Sequence, residues 1–125
     1  MTYLLGIDIG TTTITSVAVD ADSGTIVELA TTSNDARYDN RPQGRSEWDA
    51  NRIISQALQC VKDVVTLLGP RAKEIVGIGM TGQQHGMVLV DKDLSPVSPY
   101  INWQDQRGNE LDARGIPLVE TLTSR

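Results

Sequence analysis

The chain has 125 residues, room for one domain with its own core and too little for two complete lobes. Its 11 lysines and arginines face 16 aspartates and glutamates, a net charge of −5, so a polyanion finds no attractive surface and nucleic acid is a poor partner. With 39% hydrophobic and 22% charged residues the chain is expected to fold, and the absence of Phe makes its core aliphatic.

Residues 4–9 read as a buried strand, 14–20 as a second and 25–31 as a third, the last two joined as a hairpin by Asp22-Ser23-Gly24. Asp8 interrupts the first apolar run and no basic stretch precedes it, so neither a signal peptide nor a membrane span can be drawn there. Residues 33–47 are a polar loop punctuated by Pro42 and Gly44, and no linker between domains is expected in it. Ser46, with Asp49 three residues on, is expected to cap a helix. Its apolar stripe would be Ile54, Ala57, Leu58, Val61, Val64, Val65 and Leu68, and Gly69-Pro70 would stop it.

Residues 75–81 form another apolar strand, which the intervening helix should place parallel to an earlier one in the same sheet. Residues 87–91 and 97–103 are expected to be an extended pair around Lys92-Asp93. A short helical stretch over 105–114 and a polar tail should follow. The single cysteine, Cys60, forms no intrachain disulfide and suits a reducing compartment, so the cytoplasm is the expected location.

Two stretches carry chemistry. Gly6-Ile7-Asp8-Ile9-Gly10-Thr11-Thr12-Thr13 puts a carboxylate at the end of a strand, then a glycine and three hydroxyls in a tight turn. Gly10 allows close approach of an anion, and the N–H groups and hydroxyls of Thr11, Thr12 and Thr13 can converge on phosphate oxygens. No Lys or Arg precedes Arg37, so charge neutralisation falls to Mg²⁺ carried by Asp8. Followed by Ser16-Val17-Ala18-Val19-Asp20, this segment resembles the first phosphate motif of the actin, Hsp70 and sugar-kinase superfamily, which implies a ribonuclease-H-like α/β sheet.

The second stretch, Gly82-Gln83-Gln84-His85-Gly86, leaves an apolar strand with amide and imidazole groups suited to sugar hydroxyls, between glycines that would leave room for a polyol. Trp103 could offer its face to sugar C–H groups, with Asp105 and Arg107 at alternate positions beyond it. In order, the three segments resemble the N-terminal part of the FGGY carbohydrate kinases over essentially all 125 residues.

The resemblance implies a truncated first lobe, residues 1–125, of a xylulokinase-like or sedoheptulokinase-like enzyme that uses ATP and Mg²⁺ to phosphorylate a ketose or related polyol. Asp8 would be the catalytic and metal residue, Gly10 to Thr13 would hold the nucleotide phosphates, and Gln84, His85, Trp103 and Asp105 would bind the sugar. Xylulokinases carry Gln-Met-His-Gly where this chain has Gln83-Gln84-His85-Gly86, so the Met is replaced by Gln84 and the sugar stays open. The general base and the adenine site would lie beyond residue 125, so the chain alone is expected not to turn over. No membrane partner is implied, and a homodimeric parent stays open. An actin-like or Hsp70-like ATPase, or a catalytically silent sugar-binding module, are the alternatives of other classes.

Overall fold

The computed structural model describes residues 1–124, which gather into two compact units. One comprises residues 1–36 and 50–83, the other residues 37–49 and 84 onward, so the chain leaves the first unit through the predicted polar loop and returns to it at the long helix.

The first unit is a four-stranded sheet with one helix on a face. Strands β1 (Tyr3–Ile9), β2 (Thr13–Asp20) and β3 (Ile26–Ser33) form an antiparallel meander. Helix α1 (Ala50–Leu68) and a 3-10 turn over Gly69–Glu74 lead into the next sheet strand, Ile75–Gly82. That strand lies parallel to β1, giving the order β3-β2-β1 and then Ile75–Gly82. The parallel pairing is what a helical crossover permits.

Side chains alternate across a strand, so Leu5 of β1 and Ala18 of β2 share the face that packs on Val64 and Leu68 of α1. Ile14 and Ser16 on that face are fully buried.

The helical stripe differs from the predicted one. Ile53, Gln56, Ala57, Cys60, Val64 and Leu68 are buried, whereas Ile54, Leu58 and Val65 are exposed. Two polar groups turn the helix about its axis: Gln56 Nε2 donates to the Ser33 carbonyl at 2.6 Å, and the Cys60 thiol donates to the Ile14 carbonyl at 3.6 Å. Burial pushes the Cys60 thiol upward, so it stays protonated and serves as a packed donor. Gly69, in the left-handed region at φ 57°, ends the helix as expected.

In the second unit, β4 (Glu47–Trp48) pairs antiparallel with Tyr100–Ile101, so the Ile75–Gly82 strand is β5 and Tyr100–Ile101 is β6. Ser46 is therefore not the helix cap. It is 1% exposed, and its Oγ accepts from Trp48 Nε1 at 3.0 Å, while α1 starts only at Ala50.

The predicted extended pair is reduced to single bridges, Met87 to Ile101 and Val90 to Pro96. Pro96 and Pro99 remove ladder donors and interrupt it. Residues 105–114 hold only a 3-10 turn at Arg107–Asn109, because the Asp105 and Asp112 side chains take local backbone N–H groups and favour turns over helix. The expected polar tail contains a second helix, α2 (Leu118–Thr123), which begins after Pro117. No helix among the described residues is long and apolar enough to cross a membrane.

Leu68 is 2% exposed at the centre of the first unit's core, whereas Leu58 on the same helix is 54% exposed. Leu68→Ala is expected to lower the unfolding free energy by about 2–5 kcal/mol and Leu58→Ala by roughly 0.5 kcal/mol or less, as urea titration would show. Equal effects would mean that α1 does not present the face described.

Candidate functional site

In the first unit the turn between β1 and β2 is fastened from both sides. Gly10 N–H donates to the Thr13 carbonyl at 2.9 Å, and a Cβ on residue 10 would lie 2.7 Å from that oxygen, so the turn requires glycine. Asn34, just past β3, donates from Nδ2 to the Gly10 carbonyl at 3.0 Å and from its backbone to the Thr12 carbonyl at 2.9 Å. Gln83, just past β5, donates from its backbone to the Ile9 carbonyl at 2.9 Å and accepts from Thr11 Oγ1 at 3.0 Å.

The Thr11 hydroxyl, expected to face an anion, is thus spent on the turn itself, as is the Gly10 N–H. The Thr12 and Thr13 side chains are exposed. Asn34, and the contact of Gln83 with this turn, escaped the sequence reading because each acts on a strand distant in the chain. The only signal was a polar residue directly after an apolar strand.

Asp8 is exposed near the end of β1. Strand register places it between Thr15 on β2 and Thr81 on β5, and the three line a concavity of about 370 Å³ with Gly6 and Gly79. Among the described residues no three carboxylate, imidazole or thiol groups cluster. A single carboxylate fits Mg²⁺, which keeps several waters and takes one or two carboxylates beside substrate phosphates.

In the second unit, His85 has a left-handed backbone at φ 58°, and the next residue, Gly86, packs against Tyr100 so closely that a Cβ would strike the phenol ring. The glycine here makes space for Tyr100, whereas the sequence suggested space for a ligand. Likewise a Cβ on Gly82 in the first unit would lie 2.9 Å from the Ile9 carbonyl oxygen, so that glycine serves the strand pairing. Paired 2.8 Å backbone hydrogen bonds between Met87 and Ile101 then fix the loop.

His85, Trp103, Asn102, Asp105 and Arg107 line one concavity of about 400 Å³. Gln84 is exposed and is not among the residues that line it. Trp103 is 55% exposed, an aromatic face held at the surface while Trp48 is buried.

Asp105 is occupied. Its side chain is 3% exposed, and each oxygen accepts twice. Oδ1 takes Arg107 N at 3.0 Å and Nε at 2.7 Å, while Oδ2 takes Ser46 N at 2.7 Å and Arg107 Nη2 at 2.8 Å. These bonds favour the charged form and hold the carboxyl far below the usual aspartate range. Expected as a sugar contact, Asp105 has no lone pair to spare. It braces the turn that carries Trp103.

Arg107 also donates to Glu47 Oε1 at 2.8 Å, Glu47 pairs with Arg41, and Arg45 forms a two-pronged pair with Glu110 at 2.7 and 2.9 Å. Glu47 and Glu110 are likewise held ionised by their arginine partners.

The interactions that hold Asp105 ionised exist only in the folded state, so its contribution is complete above the pH where an unfolded aspartate titrates, about 3.9, and fades as pH falls through the lower folded value. Asp105→Asn is expected to lower stability by roughly 1.5–3 kcal/mol at neutral pH, with the gap to the native protein closing in stronger acid. Urea unfolding followed by tryptophan fluorescence between pH 7 and 2 checks both.

The model of the FGGY family of carbohydrate kinases, N-terminal domain, matches residues 3–114. A xylulose kinase of Staphylococcus epidermidis is 34% identical over 113 residues, covering 90% of this chain and 22% of that protein. The human sedoheptulokinase is 33% identical, with 96% of this chain and 30% of that protein covered. A solved "xyloylose kinase" structure from Brucella ovis superposes with a TM-score of 0.77 at 28% identity, over 86% of this chain and 22% of the other. The chain thus spans less than a third of the length of these relatives. The family match runs over nearly the whole sequence, and the chain belongs to the N-terminal domain family of the FGGY carbohydrate kinases.

Proposed function

We propose that this chain supplies the phosphate turn and the sugar loop of an ATP-dependent carbohydrate kinase that transfers the γ-phosphoryl group of ATP to a hydroxyl of a ketose or related polyol. The observation that carries this reading is the concavity shared by His85 and Trp103. An imidazole that can donate and accept, beside an exposed aromatic face, is the chemistry of a polyhydroxylated ligand. An actin-like or Hsp70-like ATPase shares the phosphate turn and has no use for such a concavity. Relatives named for xylulose and for sedoheptulose favour a five- or seven-carbon ketose.

Phosphoryl transfer asks mainly for positioning and charge stabilisation. Asp8 would hold a hydrated Mg²⁺, which when bound neutralises charge on the nucleotide phosphates. The exposed Thr12 and Thr13 hydroxyls would donate to phosphate oxygens, with Gly10 keeping the turn tight beneath them. In the second unit His85 would hydrogen-bond a sugar hydroxyl, with Gln84 beside it in the chain, and Trp103 would lie against sugar C–H groups. Asp105 and Arg107 would keep Trp103 in place. The cytoplasm, which supplies ATP and keeps Cys60 reduced, is the compartment we assign.

Removing the imidazole should cost one hydrogen bond, about 0.5–1.5 kcal/mol or roughly 2- to 10-fold in affinity. In the complete kinase His85→Ala should raise the Michaelis constant for ketose by that factor and leave the one for ATP unchanged. In the 125-residue chain, D-xylulose or sedoheptulose should perturb Trp103 fluorescence, and His85→Ala should weaken that response. Equal loss of ATP and sugar affinity, or lower thermal stability with unchanged kinetics, would return His85 to a structural role. Sugar binding without phosphoryl transfer by the complete polypeptide would favour the silent binding module, a reading that gains from the concavity being built wholly within the second unit.

A further inference from the structure

Strand register lines up Thr31, Thr15, Asp8 and Thr81 as one row across all four strands of the sheet. Asp8 alternates with Leu5, whose face packs on α1, so the row lies on the opposite face.

Two of the hydroxyl protons in this row, those of Thr15 and Thr31, are fixed by hydrogen bonding. Thr31 Oγ1 lies 3.1 Å from the Ile14 carbonyl, which can only accept, so Thr31 donates there. A hydroxyl carries a single proton. In the 2.6 Å contact between Thr15 Oγ1 and Thr31 Oγ1 the donor must therefore be Thr15. What Thr15 then presents to the concavity it shares with Asp8 is lone pairs, and Asp8 presents a carboxylate.

Both groups accept and neither donates. A phosphate oxygen, itself an acceptor and negatively charged, is disfavoured against this pair, whereas each water on a divalent cation offers two protons. We infer that Thr15, with its hydroxyl oriented by Thr31, is a positioning residue that accepts a hydrogen bond from a water of the divalent cation held at Asp8. This rests on the placement of the cation proposed above. The phosphates would belong to the adjacent turn, where Thr12 and Thr13 keep donors.

The test uses Mn²⁺ in place of Mg²⁺ on the 125-residue chain with methyl-labelled threonine, read as paramagnetic broadening of the Thr81 methyl signal. Asp8→Asn should abolish the low-concentration broadening. Thr15→Val, which keeps shape and removes the hydroxyl, should move the midpoint about threefold or more to higher Mn²⁺, and Thr15→Ser should restore it. Thr31→Val, which frees the Thr15 proton, should give a smaller shift in the same direction, and serves if Thr15→Val fails to fold. A Thr15→Val midpoint equal to the native one, or an equal shift in Thr15→Ser, would overturn the role of Thr15 while leaving the cation at Asp8. Broadening that survives Asp8→Asn would overturn the cation placement itself.

Discussion

The parallel pairing of β1 with β5 is the constraint on which the first unit depends. A helix must intervene before the chain can return in the same direction, and α1 does so by burying Leu68 and Val64 against Leu5 and Ala18. Once that register is set, Ile9 lies opposite Gly82, so the turn after β1 and the segment after β5 leave from the same end of the sheet. Gln83 can then reach Thr11, and Asp8 falls between Thr15 and Thr81. A one-residue slip would turn Asp8 toward α1, where an ionised carboxylate would be buried without a partner.

The second unit meets the problem of order by other means. Its buried described residues are Ser46, Trp48 and Asn102, too small a set for apolar burial to fix the loops. Arginine pairs do so: Arg107 ties Asp105 to Glu47, and Arg45 ties the predicted polar loop to Glu110. Exposed ion pairs contribute little, but Asp105 and Glu47 are 3% and 12% exposed, and their bonds are charge-assisted. The price is that the carboxylate nearest Trp103 is saturated, so in the proposed reading His85 and not Asp105 meets a ligand on that concavity.

The three candidate places divide by the sign of their hydrogen bonding. Around Asp8 the fixed groups accept, which suits a hydrated cation. In the neighbouring turn exposed threonines can donate, which suits phosphate oxygens. At His85 and Trp103 the groups are amphoteric or apolar, which suits a sugar. In the proposed reading a turn with no lysine or arginine relies on that division, with the cation supplying the positive charge that other phosphate loops draw from a basic side chain.

By itself the sequence determined what local pattern can determine. Alternating apolar residues marked the sheet strands to within two residues at their ends. The Gly69-Pro70 stop and the Gly10 turn were legible because backbone sterics act within a few residues.

Tertiary structure decided everything that a distant partner settles. Gln56 and Cys60 are buried in place of Ile54 and Leu58 because carbonyls of β3 and β2 lie opposite them. Ser46 left the helix cap for Trp48 because a two-residue strand pairs with Tyr100–Ile101 more than fifty residues away. Asp105 became a brace because Ser46 N–H meets it across that same gap, and Thr15 acquired a fixed proton only through Thr31 on the next strand. Spacing along a chain cannot encode which donor will face which acceptor across strands, and that pairing is what makes a polar residue a ligand or a support.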